Sequence, residues 1–252
     1  MNKETMKKIV IILSISLVLP IFVFAQTEND FEVTEFKLNE YYSVKISQIS
    51  EREYIAKEKE SEHLQHKPYE VITDIAKVQK LLDRRLKVFE IEEYAEYGNR
   101  EYEITFKDGT KKRLEYYNYG FVAYFPQLEI LLFEGGHSSD QPFDLNNSNY
   151  AITFGDNFPY HIRIGNPYYH SVSPDRQFRI NGFHDGQDCL WRFLEKWNPL
   201  EKKYEFINYL WGENHQFDFC YSDGWFWTSN NKVLFRKYEN YYEIEFKSDI
   251  DE

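Results

Sequence analysis

Five tryptophans fall between positions 191 and 227: Trp191, Trp197, Trp211, Trp225 and Trp227. Exposed Trp and Tyr rings form flat platforms on which sugar rings stack or a protein partner docks, and Trp is enriched where binding energy concentrates. Trp225, Trp227, Trp211 and Tyr221 are therefore the candidate ligand-binding residues. Trp225 and Trp227 share one face of an extended strand, because successive strand side chains alternate. The competing reading is a core in which these rings gather around a disulfide, since a large bare ring is costly without a partner.

Catalytic chemistry has weaker support. Gly135-Gly136-His137-Ser138-Ser139-Asp140 is the most polar turn of the second half. A nucleophile, base and orienting acid usually come together from distant segments, however. No G-x-S-x-G elbow accompanies this turn. The stretch reads as a glycine-permitted turn, with His137 and Asp140 as the residues on which a hydrolase reading would depend. No catalytic residue is assigned.

The histidines that follow the leader, His63, His66, His137, His161, His170, His184 and His215, show neither H-E-x-x-H nor a Cys/His zinc spacing. His184-Asp185 with Asp188 could gather a cation through loop oxygens, but Asp185-Gly186-Gln187-Asp188 lacks the length and order of a calcium loop. No glycine-rich phosphate loop is present. Neither a metal nor a cofactor is expected. Acidic pairs are too numerous to pick a general acid and base, whose separation in space decides that chemistry.

The first residues carry an address. Lys3, Lys7 and Lys8 precede an apolar run from Ile9 to Phe24, interrupted by Ser14, Ser16 and Pro20, and Val23-Phe24-Ala25 closes it. This is the layout of a cleaved secretory signal, with cleavage expected after Ala25. The run is short for a membrane span, and no Cys follows it to carry a lipid. The chain is expected to be exported, to the periplasm or beyond, with no membrane anchor after cleavage.

Residues 1–25 hold three Lys and one Glu, so their removal takes the formal charge from −12 to −14. Such a charge repels phosphate backbones, which argues against nucleic acid, and it favours a basic protein partner. Acidity also serves solubility alone. The two cysteines, Cys189 and Cys220, form an even count in an exported chain and predict one disulfide; two buried thiols are the alternative. The bridge would close a loop of 32 residues, worth roughly 3–4 kcal/mol in the chain-entropy account.

These residues must be positioned by elements that the pattern predicts to be mainly β. Aromatic residues make up 19% of the chain, too many for disorder and suited to strands. Residues 26–35 read as polar and frayed. Tyr42, Val44 and Ile46 alternate with polar neighbours as in a half-buried strand. Residues 51–67 are a solvated helix or a loop, with Glu53 and Lys57 spaced as an i,i+4 pair. Ile75, Val78, Leu81, Leu82 and Leu86 recur at helical spacing behind Thr73 or Asp74, which predicts an amphipathic helix over 74–87, the longest of the mature chain.

Tyr102, Ile104 and Phe106 then alternate, as do Leu114 and Tyr116. A two-residue turn at Asp108-Gly109 would put Leu114 on the wrong face. A three-residue loop, Lys107-Asp108-Gly109, keeps all five on one side with Gly109 left-handed. Strands are expected at 121–125, 128–133, 150–154, 160–164, 177–182, 189–194, 203–209, 217–221, 224–228, 232–237 and 241–246, separated by Gly, Asn and Pro turns. The organisation expected is a signal at 1–25, an N-terminal extension at 26–95 and an antiparallel β domain at 96–252.

Phe125-Pro126, Ser173-Pro174 and Tyr221-Ser222 lie 48 residues apart, with Asp175 matching Asp223 and Ile130, Phe178 and Phe226 matching as apolar positions. Ser173-Pro174-Asp175-Arg176-Gln177-Phe178 resembles the Ser-Pro-Asp strand starts of TolB-like and WD40-like β-propellers. Tyr221-Ser222-Asp223-Gly224-Trp225 resembles them less, and the first copy lacks the Asp. The resemblance implies a propeller-like arrangement; three units fall short of the four blades that a closed propeller needs, and a sandwich of similar hairpins is the alternative. The function expected is an exported, non-enzymatic recognition protein that binds a protein partner in the bacterial envelope, inhibitor-like or immunity-like. A glycan-binding module on the clustered Trp residues and an envelope hydrolase are the alternatives.

Overall fold

A computed structural model describes residues 33–91, 100–115, 119–148, 164–186, 189–211 and 217–248. The signal expected at 1–25, the strand expected at 150–154, all but Ile164 of the strand expected at 160–164, and Tyr116, His161, Asp188 and His215 lie outside them. The described chain is mainly β, in antiparallel sheets, with two short α-helices. No helix among the described residues is long and apolar enough to cross a membrane.

Val33–Lys37 (β1) and Tyr42–Ile49 (β2) open the fold, followed by helices Glu51–Ser61 (α1) and Ile75–Leu82 (α2). Two three-stranded meanders come next: Leu86–Glu90 (β3), Arg100–Thr105 (β4) and Lys111–Leu114 (β5), then Gly120–Phe125 (β6), Ile130–Glu134 (β7) and Asp140–Asp144 (β8). A four-stranded sheet combines Ser171–Val172 (β9), Phe178–His184 (β10), Leu190–Asn198 (β11) and Lys203–Tyr209 (β12). Ser222–Trp227 (β13), Lys232–Lys237 (β14) and Asn240–Ser248 (β15) form the last meander, and β2 then β1 complete it in the order β1-β2-β15-β14-β13.

The chain therefore closes its beginning onto its end. The alternation in β2 is what permits this: Val44 faces Phe246 and Ile46 faces Ile244, all buried, while Lys45 pairs with Glu245 on the other face. That buried face packs with Phe235 and Trp227 against Ile180 and Leu194 of the four-stranded sheet. A second core joins the first two meanders and α2 through Val78, Leu86, Ile104, Leu114, Leu131 and Phe133. The described residues from Val33 onward form one compact unit, and β3 pairs with β4 across the expected boundary at 95–96.

The hairpin reading holds in its described part. Tyr102 faces Leu114, the Phe106 N–H donates to the Thr110 carbonyl, and Gly109 sits at φ +84°. Only glycine takes that backbone angle without steric cost.

The expected helix over 74–87 is shorter. Asp74 caps it, its carboxylate accepting the N–H groups of Ala76 and Lys77, but it ends at Leu82. Asp83, at φ 47°, turns the chain, and Leu86 enters β3 opposite Ile104. Leu81 is 57% exposed. Helical spacing and core burial thus agree for Val78 and Leu82, whereas Leu86 reaches the same core from a strand. The longer helix is α1, capped by Ser50, whose Oγ accepts from the Glu53 N–H; Tyr54 anchors it beside Phe226 and Tyr241. Lys57 makes the expected pair with Glu53 at 2.9 Å and reaches Glu243 at 2.6 Å.

Residues 217–221 form no strand, and 33–35, within the stretch expected to be frayed, belong to β1 and pair with β2. Of the 48-residue matches, Phe125-Pro126 and Ser173-Pro174 occupy the turns joining the first and second strands of their sheets, while Tyr221-Ser222 opens β13.

Cys189 and Cys220 are joined as a disulfide, with Cα atoms 4.7 Å apart. The bridge ties the start of β11 to the approach to β13. Replacing both cysteines by Ser should lower unfolding stability by roughly 3 kcal/mol in a urea titration. An unchanged midpoint would mean that the packed core alone fixes these segments.

Candidate functional site

A groove of about 1310 Å³ runs beside the four-stranded sheet. One wall is the segment that leaves α1. Gln65 fixes that segment: its Nε2 donates to the Trp227 carbonyl at 2.7 Å and its Oε1 accepts from the Trp227 N–H at 3.2 Å. His66 Nε2 lies 2.9 Å from the Ser173 carbonyl. The segment ends where Ile72 pairs with Tyr124 of β6. Between these anchors it presents Lys67 and Tyr69 to the groove.

The opposite wall begins with the turn Pro167–Tyr169. Asn166 caps it by accepting the Tyr168 N–H, and Pro167 presets its first position. Tyr168 stands 51% exposed, edge-on to Phe125 with ring centres 5.1 Å apart. The Ser173-Pro174-Asp175 turn follows, held by Asp175, which accepts from Ser173 Oγ at 2.6 Å and from the Gln177 N–H at 3.0 Å. Trp197 and Tyr204 come from β11 and β12, with ring centres 5.2 Å apart, and Trp225 comes from β13.

Under this wall lies a buried charge network on one face of β10 and β11. Arg179 pairs with Glu195 at 2.5 Å and lies 4.3 Å from the Tyr204 ring centre. Asn181 Nδ2 adds a hydrogen bond to Glu195 at 3.2 Å. Burial works against the Arg179 charge, and the Glu195 charge overcomes it, so its pKa rises. Burial also pushes the Tyr204 hydroxyl up to about 12.

His170 lies edge-on to Tyr69 with ring centres 5.6 Å apart. Burial, and then the Arg179 charge, hold it well below the usual histidine range against an opposing effect of Asn181. Neither ring nitrogen makes a hydrogen bond of normal geometry among the described residues. His170 is therefore neutral at pH 7.

The sequence candidates separate. Trp225 lines the groove, stacked on Phe235 at 4.6 Å with Nε1 3.2 Å from Ser222 Oγ. Trp227 lies on the same side of β13 as Trp225 but is fully buried (0% exposed) in the core, so it presents no open face. Trp211 stacks on Tyr209 at 4.4 Å and meets Trp191 edge-on at 4.1 Å, in a separate cluster with Phe183 and Phe193. Tyr221 is 55% exposed beside Tyr238, with ring centres 5.7 Å apart. The structure thus brings Trp225 to the groove and distributes the other three elsewhere.

Asp140 accepts from Asn166 Nδ2 at 2.7 Å and from the His184 N–H at 2.6 Å, tying β8 to β10. Ser138 donates to Glu134 at 2.9 Å. No hydrogen bond joins His137 to Asp140 or to either serine among the described residues, so the run of His, Ser and Asp is a turn with tied side chains. His184 and Asp185 are engaged locally, by the Gly186 N–H and by Trp191 Nε1.

Tyr69, Tyr168 and Tyr204 were not singled out by the sequence reading. An aromatic pair directly after the turn signal Asn166-Pro167 was the available clue, because binding residues concentrate on loops.

Compared with known protein families, with curated proteins and with solved structures, the chain matches none of them.

Because the unfolded chain takes up the proton that folded His170 refuses, stability should fall as the pH drops below about 6.5. Between pH 7.5 and 5.5 the protein should lose about 1 kcal/mol more than its His170→Gln variant. Urea titrations at the two pH values measure this, and equal losses would place the proton elsewhere.

Proposed function

We propose that the protein is an exported, non-enzymatic recognition protein that binds a protein partner in the bacterial envelope, with the aromatic groove as its receptor surface. The observation that carries this reading is the groove: a broad channel walled by Tyr69, Tyr168, Trp197, Tyr204 and Trp225. Its walls are held by backbone-directed bonds from Gln65 and Asn166. Rigid aromatic rings bury large area at little entropic cost, which is what a recognition surface requires. The formal charge of −12 over the whole chain would steer a basic partner toward the protein, and the aromatic rings would then seat it. An inhibitor or immunity role suits a preformed surface of this kind.

Tyr168→Ala is the decisive variant, because the ring is half exposed and its loss leaves the core intact. It should weaken capture of a basic envelope protein by tenfold or more, and binding by the unaltered protein should weaken as salt rises. Capture that ignores both the variant and salt would count against the groove. A glycan ligand is the second reading, favoured by the half-exposed Tyr168 as a stacking ring beside the groove edge of Trp225. It predicts retention of oligosaccharides that salt does not release and that Trp225→Ala abolishes.

For the architecture we favour a propeller-like arrangement over a sandwich. Four antiparallel sheets succeed one another along the chain, and the first strands complete the last sheet; both features support that reading. A crystal structure with the sheets set around one axis is the expected outcome, and two sheet pairs packed face to face would overturn it.

A further inference from the structure

Edges of three sheets meet the groove: β6 through Phe125, β13 through Trp225 and Phe226, and β9 through Ser171 and Val172. An edge strand leaves every second residue with a backbone N–H and C=O that no neighbouring strand takes. The chain covers two of these edges itself. Ile72 exchanges both backbone bonds with Tyr124 of β6, at 3.0 and 2.9 Å. Gln65 takes both polar groups of Trp227 in β13.

β9 has no such cover. Its phase follows from the turn beside it. The Ser173 N–H donates to the Phe178 carbonyl at 2.9 Å, and Val172 then stands opposite Arg179 and Ser171 opposite Ile180. In antiparallel pairing, residues that exchange bonds alternate with residues that do not. Ser171 and the Ser173 N–H therefore turn toward β10, and Val172 turns its N–H and C=O away from it. Val172 is half-buried and lines the groove. Among the described residues neither of its backbone groups has a hydrogen-bond partner. The His170 carbonyl, two residues earlier in extended backbone, has none either.

An acceptor, a donor and an acceptor thus follow one another along residues 170–172. Their complement is the backbone of another extended chain, in which one residue exchanges two bonds with Val172. Side chains of such a strand alternate between two sides, and the groove holds the half-exposed Tyr168 and Trp197 to meet the apolar ones. The lining also carries Lys67 and Arg176 against Asp175, whose carboxylate the Ser173 hydroxyl and the Gln177 N–H already engage. The long-range field of the chain acts on a partner as a whole, whereas this lining acts on the segment seated in it, and it complements acidic side chains.

We propose that the groove takes an extended segment of the protein partner, added to the four-stranded sheet as a strand beside β9 and bonded to the Val172 backbone. Its apolar side chains meet the rings and its acidic side chains lie toward Lys67 and Arg176. This rests on the reading of the groove as the receptor surface, and it names the part of the partner that is recognised.

The test uses the whole folded protein and the pentapeptide acetyl-Glu-Val-Tyr-Val-Glu-amide. In the free protein the Val172 N–H should exchange with deuterium roughly tenfold faster than the Ser173 N–H, or more. The peptide should bind with a Kd of about 1 mM or tighter and slow the exchange of Val172 roughly tenfold. Two methylated forms carry the decision. N-methyl groups on the first, third and fifth residues block one edge of the strand, and on the second and fourth the other edge. One set should abolish binding and the other should leave it. The lysine-ended peptide acetyl-Lys-Val-Tyr-Val-Lys-amide should bind several-fold more weakly. Val172→Pro removes the outward N–H where an edge strand tolerates proline. It should melt close to the unaltered protein and lose the peptide, whereas Val172→Thr keeps the backbone and should retain it.

Equal binding of the two methylated forms would overturn the proposal. So would peptide binding undiminished in Val172→Pro, or no change in Val172 exchange with the peptide at about 1 mM. A lysine-ended peptide that binds as tightly would overturn the acidic assignment. The two readings fail separately. Capture lost in Tyr168→Ala, with both methylated forms binding alike, would keep the groove as the receptor and remove the added strand. Capture indifferent to Tyr168→Ala and to salt would remove the groove itself.

Discussion

The fold depends on the pairing of β2 with β15, which runs from Tyr42 opposite Ser248 to Ile49 opposite Tyr241. It joins segments about two hundred residues apart, so its loop-closure entropy is large and must be offset by the apolar face that the two strands bury together. Other features follow from it. α1 leaves the end of β2 and docks on β15 through Lys57–Glu243 and Tyr241–Glu51. That docking delivers Gln65 to Trp227, and from Trp227 the segment bearing Tyr69 sets out across the groove. Remove the pairing and the groove loses a wall, although no residue of β2 lines it.

What the sequence made legible was whatever a few adjacent residues decide. The loop at Lys107-Asp108-Gly109 was readable because one backbone angle and the alternation of Tyr102, Ile104 and Leu114 permit a single register. The mainly β character and the strands after Phe178, apart from the one expected at 217–221, were readable for similar reasons. The disulfide followed from two cysteines and the expectation of export.

The end of α2 was not legible, since Leu86 fits a helical period and a strand opposite Ile104 equally well. The groove was hidden for a deeper reason: its rings come from six separated segments, and only tertiary packing makes them neighbours. Even the tryptophan cluster, conspicuous as a string of letters, divides into a core ring, a groove ring and a distant stack once the pleat is laid down. Composition located the aromatic mass without saying which faces look outward.

The sheets communicate through polar side chains that bond to backbone as much as through apolar cores. Asp140 holds the backbone of His184, His66 meets that of Ser173, and Asn208 donates to the Leu38 carbonyl. Such bonds are directional, so they fix how one sheet lies on the next where apolar contact alone would permit sliding. This gives the groove a defined width without a covalent tie across it.

Gln65 has a further effect at the margin of the molecule. β13 is the outermost strand of its sheet, and the backbone groups of such a strand invite another chain to add itself. The Gln65 amide occupies both polar groups of Trp227, and the Tyr54 hydroxyl takes the Gly224 carbonyl. Two side chains thereby imitate a sixth strand that never has to be made. At these positions of β13 the backbone groups that another strand would use are already taken by side chains of the same chain.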